Sequence, residues 1–128
     1  MTHDTLIEQA RKVAQNAYAP YSLFSVGAAV LFTGDKTPYV GCNVENLSYG
    51  LTICAERNAI FAGIAAGKRE IEKIAIASFY KSGILLPNFV PCGACLQVIK
   101  EFAKPDTPII VDGRGDYILA ELLPIPFA

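Results

Sequence analysis

Two short segments place residue types that can do chemistry at telling spacing: Cys54-Ala55-Glu56-Arg57 and, further along, Pro91-Cys92-Gly93-Ala94-Cys95. Each opens a run of helical composition, so three sulfurs fall at two helix N-termini. There, unpaired N–H groups and about half a positive charge favour thiolate over thiol. Two such ends brought together make a soft donor set for Zn²⁺. Three protein ligands leave one tetrahedral position for water, whereas a structural site closes all four. Zinc lowers the pKa of its water to about 7, and a carboxyl alongside can carry the protons. Glu56, two residues past Cys54, is the candidate for that, and the combination describes a hydrolytic deamination. Three thiolates leave the site with net negative charge, which Arg57 and the two helix ends are suited to offset. A lone Cys-x-x-Cys would equally be a redox pair. The specificity lies in Cys-Ala-Glu together with Pro-Cys-x-x-Cys.

The chain that must position these residues has 128 of them, enough for one domain with a real core. No repeat, low-complexity tract or linker divides it, so residues 1–128 are read as a single folding unit. Eleven Lys+Arg against twelve Asp+Glu give a formal charge of -1, without the basic footprint of a polynucleotide binder. The apolar run Ala59 to Ala66 is far shorter than the roughly 18 residues a membrane span needs, and Met1 to Lys12 lacks a signal-peptide layout. A soluble, cytoplasmic protein without membrane or polynucleotide partners is expected. The apolar share is 52% and the mean hydropathy +0.35, so part of the apolar surface is expected to meet another subunit. Four cysteines without a secretory context point to metal or redox use rather than disulfides.

Thr5 with Glu8 reads as a capping box, followed by helical spacing of Leu6, Ile7, Ala10, Val13, Ala14 and Ala17 before Pro20. Val26 to Phe32 and Tyr39 to Val44 read as a hairpin around Thr33-Gly34-Asp35-Lys36. A second helix is expected from Cys54 to Ala66 with Gly67 past its end, and a third from Cys92 to Phe102. Ile74-Ala75-Ile76-Ala77 and Pro108-Ile109-Ile110-Val111 read as strands covered on both faces. A last strand is placed at Tyr117 to Ala120. Hairpin, then strand, helix and strand, imply a three-layer α/β domain with a mixed sheet. Asn43 and Glu45, two apart at a strand end, send their side chains to one face. That pair suits ribose hydroxyls, or else simply caps the strand.

The two cysteine segments resemble the three-cysteine form of the zinc deaminase signature. Ala17-Tyr18-Ala19-Pro20-Tyr21-Ser22, Phe24, Val26-Gly27-Ala28-Ala29, Asn43-Val44-Glu45-Asn46 and Leu122-Leu123-Pro124 extend the likeness to the small free-nucleoside cytidine deaminases, across nearly the whole chain. The resemblance implies a cytidine deaminase-like α/β/α sandwich on a mixed five-stranded sheet, assembled as a homotetramer with shared active sites. It implies deamination of cytidine or 2′-deoxycytidine in pyrimidine salvage, with Zn²⁺ on Cys54, Cys92 and Cys95 and Glu56 as proton carrier. It also implies that Asn43 and Glu45 hold the sugar, that Phe24 lies against the base, and that Ala55 contacts it through its backbone. Phe127 would reach a neighbouring subunit's site, and Tyr49 would lie at an interface. The bland alternative for Phe24 is a core aromatic. Cys42 reads as a buried strand residue and His3 as part of a frayed end.

Departures from the family pattern are Leu96 where arginine is common, which removes one positive charge near the sulfurs, and Leu23 and Ser25 where lysine and proline are more usual. Three other readings stay open. One is deamination of another aminopyrimidine nucleoside, such as a blasticidin-type antibiotic. The second is a polynucleotide editor, which the charge disfavours, and the third is a non-enzymatic zinc module closed by Cys42.

Overall fold

Alternation along the strands sorts the apolar residues into two unequal faces, and those faces decide where the helices sit. The computed structural model describes residues 1–128. Its elements in chain order are α1 (His3–Ala14), β1 (Phe24–Phe32), β2 (Tyr39–Cys42), a 3-10 turn at Tyr49–Leu51, α2 (Ala55–Ala65) and β3 (Ile71–Tyr80). They continue with α3 (Gly93–Phe102), β4 (Pro108–Val111), β5 (Gly115–Ile118) and α4 (Leu119–Leu122). One mixed sheet runs in the order β2-β1-β3-β4-β5, with only β3 and β4 parallel. The β3-α3-β4 segment is therefore a crossover unit, while β1-β2 is the expected hairpin. The mixed five-stranded sheet and its flanking helices agree with the fold read from the sequence.

Val26, Ala28, Val30 and Phe32 of β1 join Ile74 and Ile76 of β3 in a core cluster under α2 and α3. The opposite face offers Ala29, Leu31, Ala75 and Ala77, and α1 covers it with Leu6 and Ala10. The alanines on that side let α1 sit close, and Gly27 takes this furthest. A Cβ there would fall 2.0 Å from the Ala10 carbonyl oxygen. Gly41 does the same across the sheet, where a Cβ would lie 2.5 Å from Ala59 N and 2.7 Å from Ala55 O. Both glycines mark backbone-to-backbone packing that any side chain would wedge apart. Asn58 adds a bond from Nδ2 to the Cys42 carbonyl at 2.8 Å, pinning the first turn of α2 to β2. Arg11 grips Asp112 through two hydrogen bonds of 2.6 and 2.7 Å, tying α1 to the turn after β4.

Several local expectations need correction. The N-cap of α1 is Thr2, whose hydroxyl accepts the Thr5 N–H, so Thr5 lies inside the helix and the Thr5/Glu8 box does not form. His3 opens that helix with Nδ1 3.1 Å from Asp116 Oδ2, rather than fraying. The last strand is Gly115–Ile118, and Leu119 and Ala120 turn helical instead. The reason is Glu121, which accepts the Ile118 N–H at 2.9 Å and caps a new turn in place of the ladder. Strand β2 stops at Cys42, and Val44 makes only isolated bridges to Tyr18 and Ile53. No helix is long and apolar enough to cross a membrane.

Candidate active site

Cys54 is the N-cap of α2 and Cys92 the N-cap of α3, both in extended backbone at a helix end that leaves N–H groups free. Cys92 Sγ accepts the Cys95 N–H at 3.4 Å, which turns Cys95 back toward the same point. The sheet order does the rest, because α2 and α3 cover the same face and start at the same end of it. The sulfurs of Cys54, Cys92 and Cys95 lie within 4.8 Å of one another, with Cys54 and Cys92 at 3.9 Å. Tetrahedral zinc with Zn–S bonds of about 2.3 Å separates its sulfurs by roughly 3.8 Å, so the donor set fits that ion. Cys42 is outside this group and half-buried, and burial pushes its thiol up. A site closed by a fourth thiolate from Cys42 has no support in the geometry.

Without a cation these sulfurs compete. The Cys54 thiol is lowered to about 5, first by the hydrogen bond from Cys95 and then, against the cost of burial, by Arg57 and Cys92. Cys95 moves the other way, raised by its bond to the ionised Cys54, by burial and by Glu56. The Cys54 thiolate suppresses ionisation of Cys95, and a positive ion between the two would relieve that suppression. The cation already present is Arg57, which donates from Nη2 to Cys54 Sγ at 3.4 Å. Leu96 packs into the core at 6% exposure, so the position where arginine is common brings no second charge here.

Glu56 is 1% exposed, and its Oε1 has no hydrogen-bond partner. Burial pushes its carboxyl up to about 7, with the Cys54 charge adding to the shift and the Glu56 N–H opposing it. An isolated buried carboxyl is costly to a fold, and one kept partly protonated near neutral pH beside a cavity has the properties a proton carrier needs.

Above the sulfurs lies a cavity of about 210 Å³. Phe24, Asn43, Glu45, Cys54, Ala55, Glu56 and Cys92 line it, so most residues singled out from the sequence meet in one place. Arg57 touches it only through Cys54. Phe127 is 92% exposed and far from lining the cavity of its own chain. Phe24 packs edge-on against Tyr80, ring centroids 5.7 Å apart, and forms a wall rather than core. Tyr49 is exposed and meets Tyr21 in the same edge-on manner, also at 5.7 Å. The Asn43 side chain is largely occupied: Oδ1 accepts the Val26 N–H and Nδ2 donates to the Phe24 carbonyl, each at 2.9 Å. Glu45 Oε1 accepts the N–H groups of Tyr21 and Ser22 at 3.0 Å each, and the Ser22 hydroxyl donates to Oε2. Burial would raise the Glu45 carboxyl, but these bonds together hold it below its ordinary range.

Ser22, Thr52, Leu86, Phe89 and Val90 also line the cavity and were not singled out from the sequence. The signal for the last three was the apolar, proline-containing run Leu85 to Val90 directly before Pro91-Cys92. A solvated loop has no other reason to be so apolar.

Comparison with known proteins places this arrangement. The family model described as the cytidine and deoxycytidylate deaminase zinc-binding region matches residues 1–111. A cytidine deaminase of Sporosarcina psychrophila is 39% identical over all of this chain and 93% of its own length. One of Halalkalibacterium halodurans is 40% identical over 99% of this chain and 95% of its own. Among solved structures, the cytidine deaminase of Burkholderia pseudomallei superposes with a TM-score of 0.88 at 42% identity, covering 99% of this chain and 100% of that one.

Proposed function

Because the chain belongs to the cytidine and deoxycytidylate deaminase family, we propose that it hydrolyses cytidine or 2′-deoxycytidine to the uridine product and ammonia. The observation that carries this is three sulfurs within 4.8 Å of one another, with Cys54 and Cys92 lining a cavity that Glu56, whose Oε1 has no hydrogen-bond partner, lines as well. Zinc, held by Cys54, Cys92 and Cys95, supplies Lewis acidity that lets water attack at neutral pH.

The chain's own groups do the remainder. Glu56 accepts the first proton of the attacking water and gives it to N3 of the base, then passes the second to the departing amine at C4. Arg57 holds the Cys54 sulfur ionised. Phe24 lies against the pyrimidine, the backbone at Ala55 contacts it, and Glu45 takes a sugar hydroxyl. Asn43 supports the sugar end mainly by fixing the backbone at Phe24 and Val26. Residues 1–128 act as one deaminase domain in the cytoplasm, serving pyrimidine salvage.

The same reading makes the protein a homotetramer. Leu47, Tyr49 and Leu51, in the segment that leads to the cavity-lining Thr52, are 79%, 72% and 65% exposed, and Ile125 and Phe127 are 90% and 92% exposed. Apolar residues so exposed are what a neighbouring subunit would cover, with Phe127 completing the adjoining cavity. Sedimentation of wild type and Phe127→Ala tests this.

Ultraviolet absorbance of cytidine incubated with the protein tests the activity. Ammonia release that stops on chelation and returns with zinc is expected. A zinc-loaded protein that leaves cytidine and 2′-deoxycytidine intact would overturn the assignment.

A further inference from the structure

Glu45 and Phe24 face the cavity from different elements, yet one side chain is bonded to both. The Ser22 hydroxyl donates to Glu45 Oε2, and Ser22 Oγ itself accepts the Phe24 N–H at 3.1 Å. Ser22 also gives its own N–H to Glu45 Oε1 at 3.0 Å, where the Tyr21 N–H arrives as well. A carboxylate oxygen has about two lone-pair sites. Oε1 is therefore filled, and Oε2 keeps one open site for a ligand hydroxyl.

The bond from the Ser22 oxygen to the N–H two residues on closes a turn around Leu23. Leu23 has φ 64°, the one non-glycine residue in the left-handed region. Leucine does not adopt that conformation unaided, so the turn stands because its ends are held. Phe24 leaves this turn directly into β1, and the direction of its ring follows from it.

We propose that Ser22 is a positioning residue for the reaction: its hydroxyl couples the open oxygen of Glu45 to the ring of Phe24, fixing sugar and base contacts at one separation. This rests on the nucleoside reading above. Ser22 contributes nothing to the bonds made and broken at C4, so its effect falls on KM and leaves kcat nearly unchanged.

The test is steady-state kinetics on cytidine for wild type, Ser22→Ala, Ser22→Thr, Glu45→Gln and the Ser22→Ala/Glu45→Gln double variant, with melting temperatures alongside. Ser22→Ala raises KM on the order of tenfold, as expected for loss of a hydrogen bond to a charged group. Its kcat stays within about twofold, and Ser22→Thr, which keeps the hydroxyl, returns KM toward wild type. In the Glu45→Gln background the same alanine adds much less, because the group it positions has gone. An unchanged KM in Ser22→Ala, or penalties that simply multiply in the double variant, would overturn the proposal. So would a Ser22→Ala that no longer folds, which would make Ser22 a residue of the fold. A wild type inactive on cytidine would instead remove the nucleoside reading itself.

Discussion

Arg57 Nη2 donates to the Cys54 sulfur across 3.4 Å, from one helical turn further along α2. The bond uses the rigidity of the helix to hold a guanidinium against a thiolate that must stay ionised. Partners of metal ligands typically contribute ten- to a hundredfold in metal affinity or activity, on the order expected here. Arg57→Ala should therefore lose zinc to a chelator faster than wild type and turn over at about a tenth of its rate or less. Zinc retention and turnover both equal to wild type would show that the helix ends alone suffice.

Glu56 makes the opposite prediction about stability. Its buried carboxyl has an oxygen with no partner, so Glu56→Gln removes a strained group rather than a support. The variant should keep stoichiometric zinc and melt at or above the wild-type temperature. Turnover should fall by roughly 10²- to 10⁴-fold, the usual share of a positioned proton carrier. Metal analysis, calorimetry and the absorbance assay together check it, and substantial residual activity would remove Glu56 from the proton path.

Gly41 sets how close α2 lies to β2, and α2 carries Cys54. A Cβ at 2.5 Å from Ala59 N meets backbone, which cannot step aside as a side-chain tip would. Gly41→Ala should cost about 1–3 kcal/mol in urea unfolding, the usual penalty for overpacking. Because the shift moves the start of α2, zinc should also be held less tightly. Unaltered stability would mean that helix and strand are not locked at this point.

Glu45 offers a pH test. Its folded carboxyl titrates below the ordinary value of 4.5, through the hydrogen bonds from Ser22 and Tyr21 that outweigh burial. A depressed carboxyl contributes stability that is complete above the unfolded value and disappears as pH falls through the lower, folded one. Glu45→Gln should thus melt below wild type at pH 7, and the gap should close as the pH drops below 4.5. Melting curves of both proteins across that range measure the gap, and a constant difference would show that charge plays no part.

Residue order alone determined the chemistry and the kinds of element present. Cys-Ala-Glu and Pro-Cys-x-x-Cys mark helix starts through local composition, and parity along Val26 to Phe32 assigns each side chain to a face. Local rules failed where two local partners competed, as when Thr2 rather than Thr5 capped α1 and Glu121 turned Leu119 and Ala120, read as the end of the last strand, into a helix. Tertiary structure decided what no spacing encodes. The 3.9 Å between Cys54 and Cys92, residues 38 apart in the chain, follows from two helices packed on one face of a sheet. Leucine has no preference for the left-handed turn at Leu23, and that turn is held by the bonds around it, from the Leu23 N–H to the Ala19 carbonyl and from Ser22 to Glu45 and Phe24. The Asn43 side chain bonds the backbone of β1 at Val26 and Phe24, contacts that no spacing in the sequence announces. Type and periodicity act over a few residues, whereas those distances depend on which glycine lets which helix approach.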